Sequence, residues 1–285
     1  MRSGSIARVT ALHAATHIDS AKNPRIKALL RLEARRVRDR EGRALVEGVR
    51  EVSRAFEAGV PLETLLVAPE FLSDEGEAVV HTVRNHVSEM VTLARAPFER
   101  LSHRQNPDGL LAVITPDTPS LDDVVLPTSP LLLVAIATEK PGNLGALLRT
   151  ADAVGVDAVL LAEGDDDALG TDPWNPNVIR ASMGSVFHLP VITVGGASLQ
   201  KWLAERGVHV VVTDPTAATT LWDATLTGPL ALVLGAEHAG VPDAWRDVAH
   251  QRIAIPMHGA ADSLNVSVSG ALVLYEALRQ RRVAP

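Results

Sequence analysis

Three stretches of this 285-residue chain combine glycines with polar side chains at spacings that suit chemistry. Residues 138–161, TEKPGNLGALLRTADAVGVDAVLL, carry Asn143 and Arg149. Residues 230–242, LALVLGAEHAGVP, carry Gly235, Glu237 and Gly240. Residues 253–279, IAIPMHGAADSLNVSVSGALVLYEALR, carry Ser263 and Asn265. Each polar set follows an apolar run that reads as a strand, and open α/β sheets bind ligands beyond the carboxyl ends of their strands. Gly235 permits close backbone approach. Taken singly, Asn143 also suits a helix N-cap, Arg149 a solvated surface, and Glu237 the start of a turn. The third stretch leans further toward function. Ser263 reads as an N-cap, but Asn265, Ser267 and Ser269 are poor helix formers in the first turns of a long helix, and they weaken it unless they serve packing or a site.

Other chemistries are excluded or unsupported. Cys is absent, which removes disulfides, thiolate nucleophiles and Cys-ligated zinc. There is no G-x-G-x-x-G, no G-x-x-x-x-G-K-[ST], no G-x-S-x-G and no H-E-x-x-H. His13 and His17 are spaced i, i+4 without an acidic partner, and Asp165, Asp166 and Asp167 are adjacent, which suits a solvated loop better than an ion, so no metal is expected. No apolar run approaches the ~18 residues of a membrane span, and MRSGSIARVTALHAATH lacks a signal-peptide apolar region, so a cytoplasmic home fits.

The charge is uneven. Lys22 to Arg54 holds eleven basic residues against five acids, a net +6 within a chain of net −7. A basic segment on an acidic protein is either an anion-binding surface or a solvated Arg-rich helix.

The surrounding elements are read from periodicity. Residues 1–20 are expected to be a loose terminus. Residues 21–114 alternate strands (43–47, 62–67, 90–93, 109–114) with helical segments, which makes a small α/β domain. Pro116, Pro119, Pro127 and Pro130 mark residues 115–130 as a linker. Residues 131–285 repeat the βα rhythm with apolar runs at 131–137, 157–162, 208–213, 230–234 and 252–255. Their lack of alternation predicts a largely parallel sheet buried on both faces. Helices are predicted at 143–154, 198–206, 243–248 and 263–281, the last with Leu264, Val268, Ala271, Leu272, Tyr275 and Leu278 on one stripe.

N-L-G-x-x-x-R-T-A-D, then G-x-E-x-x-G, then I-P-M followed by S-L-N-V-S-V and Y-E-A-L-R resembles, in order and spacing, the three motifs of the SpoU (TrmH-like) RNA ribose 2′-O-methyltransferases. Residues 172–191, DPWNPNVIRASMGSVFHLPV, look like that family's intermotif segment, and residues 23–50 are similar to its small L30e-like substrate-binding domain. Together these cover nearly all of the chain beyond residue 20. Lys140 stands where an acidic residue is common in the first motif. The resemblance implies a deep trefoil-knotted (SPOUT) α/β catalytic domain, a homodimer with its active site at the subunit interface, and S-adenosylmethionine as cofactor.

By motif position the resemblance assigns Asn143, Arg149, Glu237, Ser263 and Asn265 to the catalytic machinery. It assigns Thr213, Gly235, Ile255, Pro256, Ser263 and Leu264 to the cofactor, with Ile255 and Leu264 sandwiching the adenine. A ribose 2′-hydroxyl must lose its proton as it attacks the sulfonium methyl. A guanidinium stays protonated, so Arg149 is expected to bind the target phosphate and stabilise the developing alkoxide rather than act as a free base. Lys22, Arg25, Lys27, Arg31 and Arg180 are the candidate RNA contacts. The expected substrate is ribosomal (23S) RNA. Transfer RNA, a resistance determinant with the same chemistry, and a catalytically silent RNA binder are the alternatives.

Overall fold

The computed structural model describes residues 16–163 and 170–283. The Asp165–Asp167 run and His13 lie outside them. The chain divides into two compact units, one running to Asp117 and including Trp174–Phe187, the other comprising Thr118–Pro173 and His188 onward.

The first unit is built on a mixed five-stranded sheet in the order β1-β4-β3-β5-β2. Its strands are β1 (Thr16–Ile18), β2 (Ala44–Glu47), β3 (Leu62–Val67), β4 (Glu89–Leu93) and β5 (Leu110–Ile114). β1 and β3 flank β4 in parallel, while β5 runs antiparallel to both β3 and β2. Helices α1 (Pro24–Leu30), α2 (Arg35–Glu41), α3 (Val49–Glu57), α4 (Asp74–Val83) and α5 (Arg95–Leu101) accompany it. Two expectations change here. Residues 16–18 are not loose, because Thr16, His17 and Ile18 register with Val91, Thr92 and Leu93, and Ile18 enters the core with Phe98 and Leu101. Trp174–Phe187, expected in the catalytic half, sits in this unit: Arg54 Nη1 donates to the Met183 carbonyl at 2.7 Å, and Gly184 leaves room for the Arg54 stem.

The second unit carries a seven-stranded sheet in the order β10-β12-β9-β11-β6-β7-β8, parallel throughout. The strands are β6 (Leu131–Ile136), β7 (Ala158–Ala162), β8 (Val191–Val194), β9 (His209–Thr213), β10 (Thr219–Thr220), β11 (Leu230–Leu234) and β12 (Gln251–Ala254). Every residue of β6, β7 and β11 is buried, as non-alternating apolar runs require. Of the helices that follow, α6 (Pro141–Val154), α8 (Gly196–Glu205), α9 (Asp243–Asp247) and α10 (Val266–Val283) belong to this unit, and α7 (Pro176–Ala181) to the first. β6 leads outward to β7 and β8 on one side, and its other neighbour, β11, leads to β9 and β12. The order therefore reverses at β6/β11, the position at which parallel sheets open a crevice for ligands.

α10 rests on α6 through a glycine. A Cβ on Gly270 would lie 2.4 Å from Leu147 Cδ2 and 2.9 Å from Leu234 Cδ1, so a larger residue here would have to displace both leucine side chains. Val266, Val273, Leu274 and Ala277 are buried, whereas Val268, Leu272 and Tyr275 are 47%, 37% and 52% exposed. The predicted stripe is thus largely the second, outward apolar face of the helix. Among the described residues no helix is long and apolar enough to cross a membrane.

Candidate active site

Parallel strands end together, so the segments after β6, β9, β11 and β12 share one edge of the sheet. After β6, Ala137 takes φ +41, turning the chain toward Thr138–Lys140 and the start of α6. After β11, Ala236 and Gly240 exchange backbone hydrogen bonds of 3.0 Å each way, which closes a tight turn with Glu237 on it. A Cβ on Gly235 would lie 2.2 Å from the Gly240 carbonyl carbon, so the turn needs glycine at that position.

One polar residue from each of the three stretches, Asn143, Glu237 and Asn265, meets the others in one relay. Glu237 Oε1 accepts from Asn143 Nδ2 at 2.7 Å, and Oε2 accepts from the Glu139 backbone N–H at 3.2 Å. Asn143 Oδ1 accepts from Asn265 Nδ2 at 3.0 Å. Asn265 Oδ1 then accepts from Ser267 N at 2.9 Å and Ser267 Oγ at 2.6 Å. The carboxylate sets the direction of the whole chain. It can only accept, so Asn143 must turn its amide nitrogen to Glu237, which leaves its oxygen for Asn265 and the Asn265 oxygen for the helix start. Burial pushes the Glu237 carboxyl up, but the bonds from Asn143 and from the backbone N–H groups of Glu139, Glu237 and Lys140 outweigh it and hold it below its ordinary value. An anionic Glu237 is therefore an anchor rather than a proton donor.

Two capping expectations change as a result. α6 begins at Pro141, so Asn143 lies inside the first turn with its side chain buried in the relay instead of capping the helix. α10 begins at Val266, three residues beyond Ser263, and it is Asn265 whose side chain accepts from the first turn.

Beside the relay is a pocket lined by Thr213, Ile253, Ile255, Met257, Ser263 and Leu264, together with Asp214, Pro215, Asp262 and Ser269. Four expected cofactor residues, Thr213, Ile255, Ser263 and Leu264, are in its wall, while Gly235 and Pro256 are not among the lining residues. Its apolar walls with a few polar groups suit a planar ring such as a nucleobase. Asp214 and Met257 were not anticipated from the sequence. The legible signal for Asp214 is its position directly after the buried run Val210–Val212 and Thr213. Among the described residues no cluster of His, Asp or Glu could hold a metal ion.

Arg149 is not brought into the relay. It is exposed on α6, six residues beyond Asn143, between Ala146 and Thr150. Those two line a groove with Trp222, Val268, Leu272 and Tyr275.

The SpoU rRNA Methylase family profile matches residues 130–275, which hold the relay, the pocket and Arg149. The chain belongs to the SpoU rRNA methylase family. The profile of an MRM3-like substrate binding domain matches residues 23–112. A curated relative, the 23S rRNA (uridine(2479)-2′-O)-methyltransferase of Streptomyces viridochromogenes, is 32% identical over 255 residues, 87% of this chain and 86% of its own length. A crystal structure of an RNA 2′-O ribose methyltransferase is 42% identical, covers 94% of this chain and 100% of that one, and superposes with a TM-score of 0.82. The SpoU methyltransferase AviRb from S. viridochromogenes in complex with AdoMet gives 32% identity, 92% and 100% coverage and the same TM-score.

The candidate RNA contacts separate into two groups. Lys22, Lys27 and Arg31 are exposed on and beside α1. Arg25 donates to both Glu89 carboxylate oxygens through its two terminal guanidinium nitrogens, and Arg180 donates to the His103 carbonyl at 3.1 Å and to Asn177 Oδ1 at 2.8 Å.

Proposed function

We propose that this SpoU family member transfers a methyl group from S-adenosylmethionine to a ribose 2′-hydroxyl of 23S ribosomal RNA, as a homodimer, in the cytoplasm. The observation that carries the reading is the Glu237–Asn143–Asn265 relay set against the apolar pocket at the carboxyl ends of β9 and β12. Ile255 and Leu264 would hold the adenine, with Thr213 and Ser263 offering polar groups. When bound, the cofactor supplies an electrophilic methyl on a sulfonium, so the protein needs to position the hydroxyl in line and manage its proton.

The relay keeps the turn after β11 and the starts of α6 and α10 in fixed register, so the pocket rim is preorganised. Arg149 supplies the cation. Its fork suits a phosphate and the oxygen that becomes anionic as its proton leaves to that phosphate or a neighbour. A homodimer explains where Arg149 works. It flanks the outward apolar face made by Trp222, Val268, Leu272 and Tyr275, and a second copy seated there would carry Arg149 into an interface. Lys22, Lys27 and Arg31 give phosphate contacts, which position RNA without reading its sequence. The reading includes a trefoil knot, supported by the non-sequential order β12-β9-β11-β6 and by the packing of α10 on α6.

The test is methyl transfer from labelled S-adenosylmethionine to separate pools of unmodified ribosomal and transfer RNA, with Arg149→Ala as control. Label in ribosomal RNA alone, lost in the control, is the expected result. Label in transfer RNA alone, or equal label with and without Arg149, overturns it.

A further inference from the structure

The polar groups of the pocket lie outside the relay, and one of them, Asp214, is buried. Asp214 follows the last residue of β9, its side chain is only 2% exposed, and yet it lines the pocket. Oδ1 is committed to a local turn, accepting from Thr216 N at 2.9 Å and Thr216 Oγ1 at 2.7 Å. On Oδ2 no described residue places a hydrogen bond. Arg246 Nε and Arg252 Nε stand 3.7 Å and 3.8 Å away, beyond hydrogen-bond reach but within charge range, and Arg246 Nε is buried without a hydrogen-bond partner. Burial pushes the Asp214 carboxyl up, but the Thr216 bonds and the two guanidinium groups outweigh it, and it titrates below its ordinary range. At this end of the pocket wall Asp214 therefore presents an anionic oxygen with a lone pair to offer, apart from the exposed Asp262 that also lines the pocket.

The chemistry of the neighbours selects the donor. Two guanidinium groups beside Oδ2 oppose a cationic guest, so the sulfonium and the α-ammonium are directed elsewhere. The base belongs against the apolar walls of Ile255 and Leu264. A neutral hydroxyl is what remains. We propose that Asp214 Oδ2 accepts a hydrogen bond from a ribose hydroxyl of the adenosine half of the cofactor, and so sets the direction in which the cofactor lies. This rests on the methyltransferase reading above. It makes Asp214 a binding residue for the cofactor, with Arg246 and Arg252 as positioning residues that act through it.

The experiment is calorimetric titration of S-adenosylhomocysteine and of its 2′-deoxy, 3′-deoxy and N6-methyl counterparts into the full-length wild type and Asp214→Asn. The asparagine keeps a carbonyl oxygen for the Thr216 turn, so the loop is preserved. For a hydrogen bond to a charged acceptor, the parent ligand should lose roughly ten-fold or more in affinity on Asp214→Asn. One of the deoxy ligands should lose a similar factor on the wild type, and the two losses should not multiply when combined. Unchanged binding by Asp214→Asn overturns the proposal. So does a loss that multiplies with both deoxy losses, which marks a purely structural role, or one coupled to the N6-methyl group, which assigns Oδ2 to the base. A wild type that binds none of these ligands and transfers no methyl group sinks the methyltransferase reading and this proposal together. Binding with multiplying losses sinks this proposal alone.

Discussion

Asn143→Ala tests whether the relay is a single mechanical unit. The substitution deletes a charge-assisted bond to Glu237 at 2.7 Å and a neutral bond from Asn265 at 3.0 Å. Such bonds contribute about 1.5–3 and about 0.5–1.5 kcal/mol respectively. The sum is an upper bound. Glu237 keeps its bond from Glu139 N, and Asn265 is exposed, so water takes over part of what is lost. A net loss of about 2 kcal/mol follows. For a unit of this size that lowers the melting transition by about 4–8 °C. The assay is urea and thermal denaturation of wild type, Asn143→Ala, Glu237→Gln and the double variant. Because the residues touch, the double variant should cost about 0.5–3 kcal/mol less than the two single losses added together. The dependence on acid has a definite sign. The Glu237 carboxyl is held below its ordinary value in the folded state, so its contribution is complete above that value and fades as pH falls through the folded one. Asn143→Ala should therefore cost less at pH 3 than at pH 7. A cost that adds simply with Glu237→Gln at both pH values would refute the idea of a coupled relay.

Three further outcomes follow from the geometry. Gly270→Ala gains about 1 kcal/mol of helix propensity but drives a methyl into Leu147 and Leu234, for a net loss of about 1 kcal/mol, and Gly270→Val loses about 3 or more by chemical denaturation. Leu272→Glu places a charge on the outward apolar face and should weaken self-association by about 30-fold or more in sedimentation equilibrium, without lowering the stability of the separated chains. Replacing Lys27 and Arg31 together by Ala should reduce the slope of log affinity for RNA against log salt by about 1.4–1.8, measured by filter binding, whereas Arg25→Ala should act mainly on stability through Glu89.

What the sequence disclosed follows from how each element is stabilised. β6 and β11 are legible because a strand buried on both faces must be apolar at every position. β8 and β10 are not, since the first has only four residues, half of them off the core, and the second only two. α5 went unread because Pro97 interrupts RAPFERL, although proline is tolerated in a first turn. The relay residues were individually visible, but not their bonds, because partners 94 and 122 positions apart leave no periodic trace. α10 misled in a specific way. Its two apolar faces look alike in sequence, and only packing distinguishes the face that closes on α6 from the one left outward. Arg25 looked like its basic neighbours because Glu89, 64 residues away, claims it only in the folded chain.

The span of the relay also sets a clock on the ribosome. Asn143 is made 122 residues before the Asn265 that completes its hydrogen bonding. At about 5–20 residues per second, that is a wait of roughly 6 to 24 s during which β6 and α6 exist without the turn or the helix that orient them. Until α10 is made, Leu147 and then Leu234 lack its glycine face, and the pocket lacks Leu264. A nascent chain of this protein therefore has an unfinished pocket wall and an uncovered α6 until Leu264 and α10 have been made.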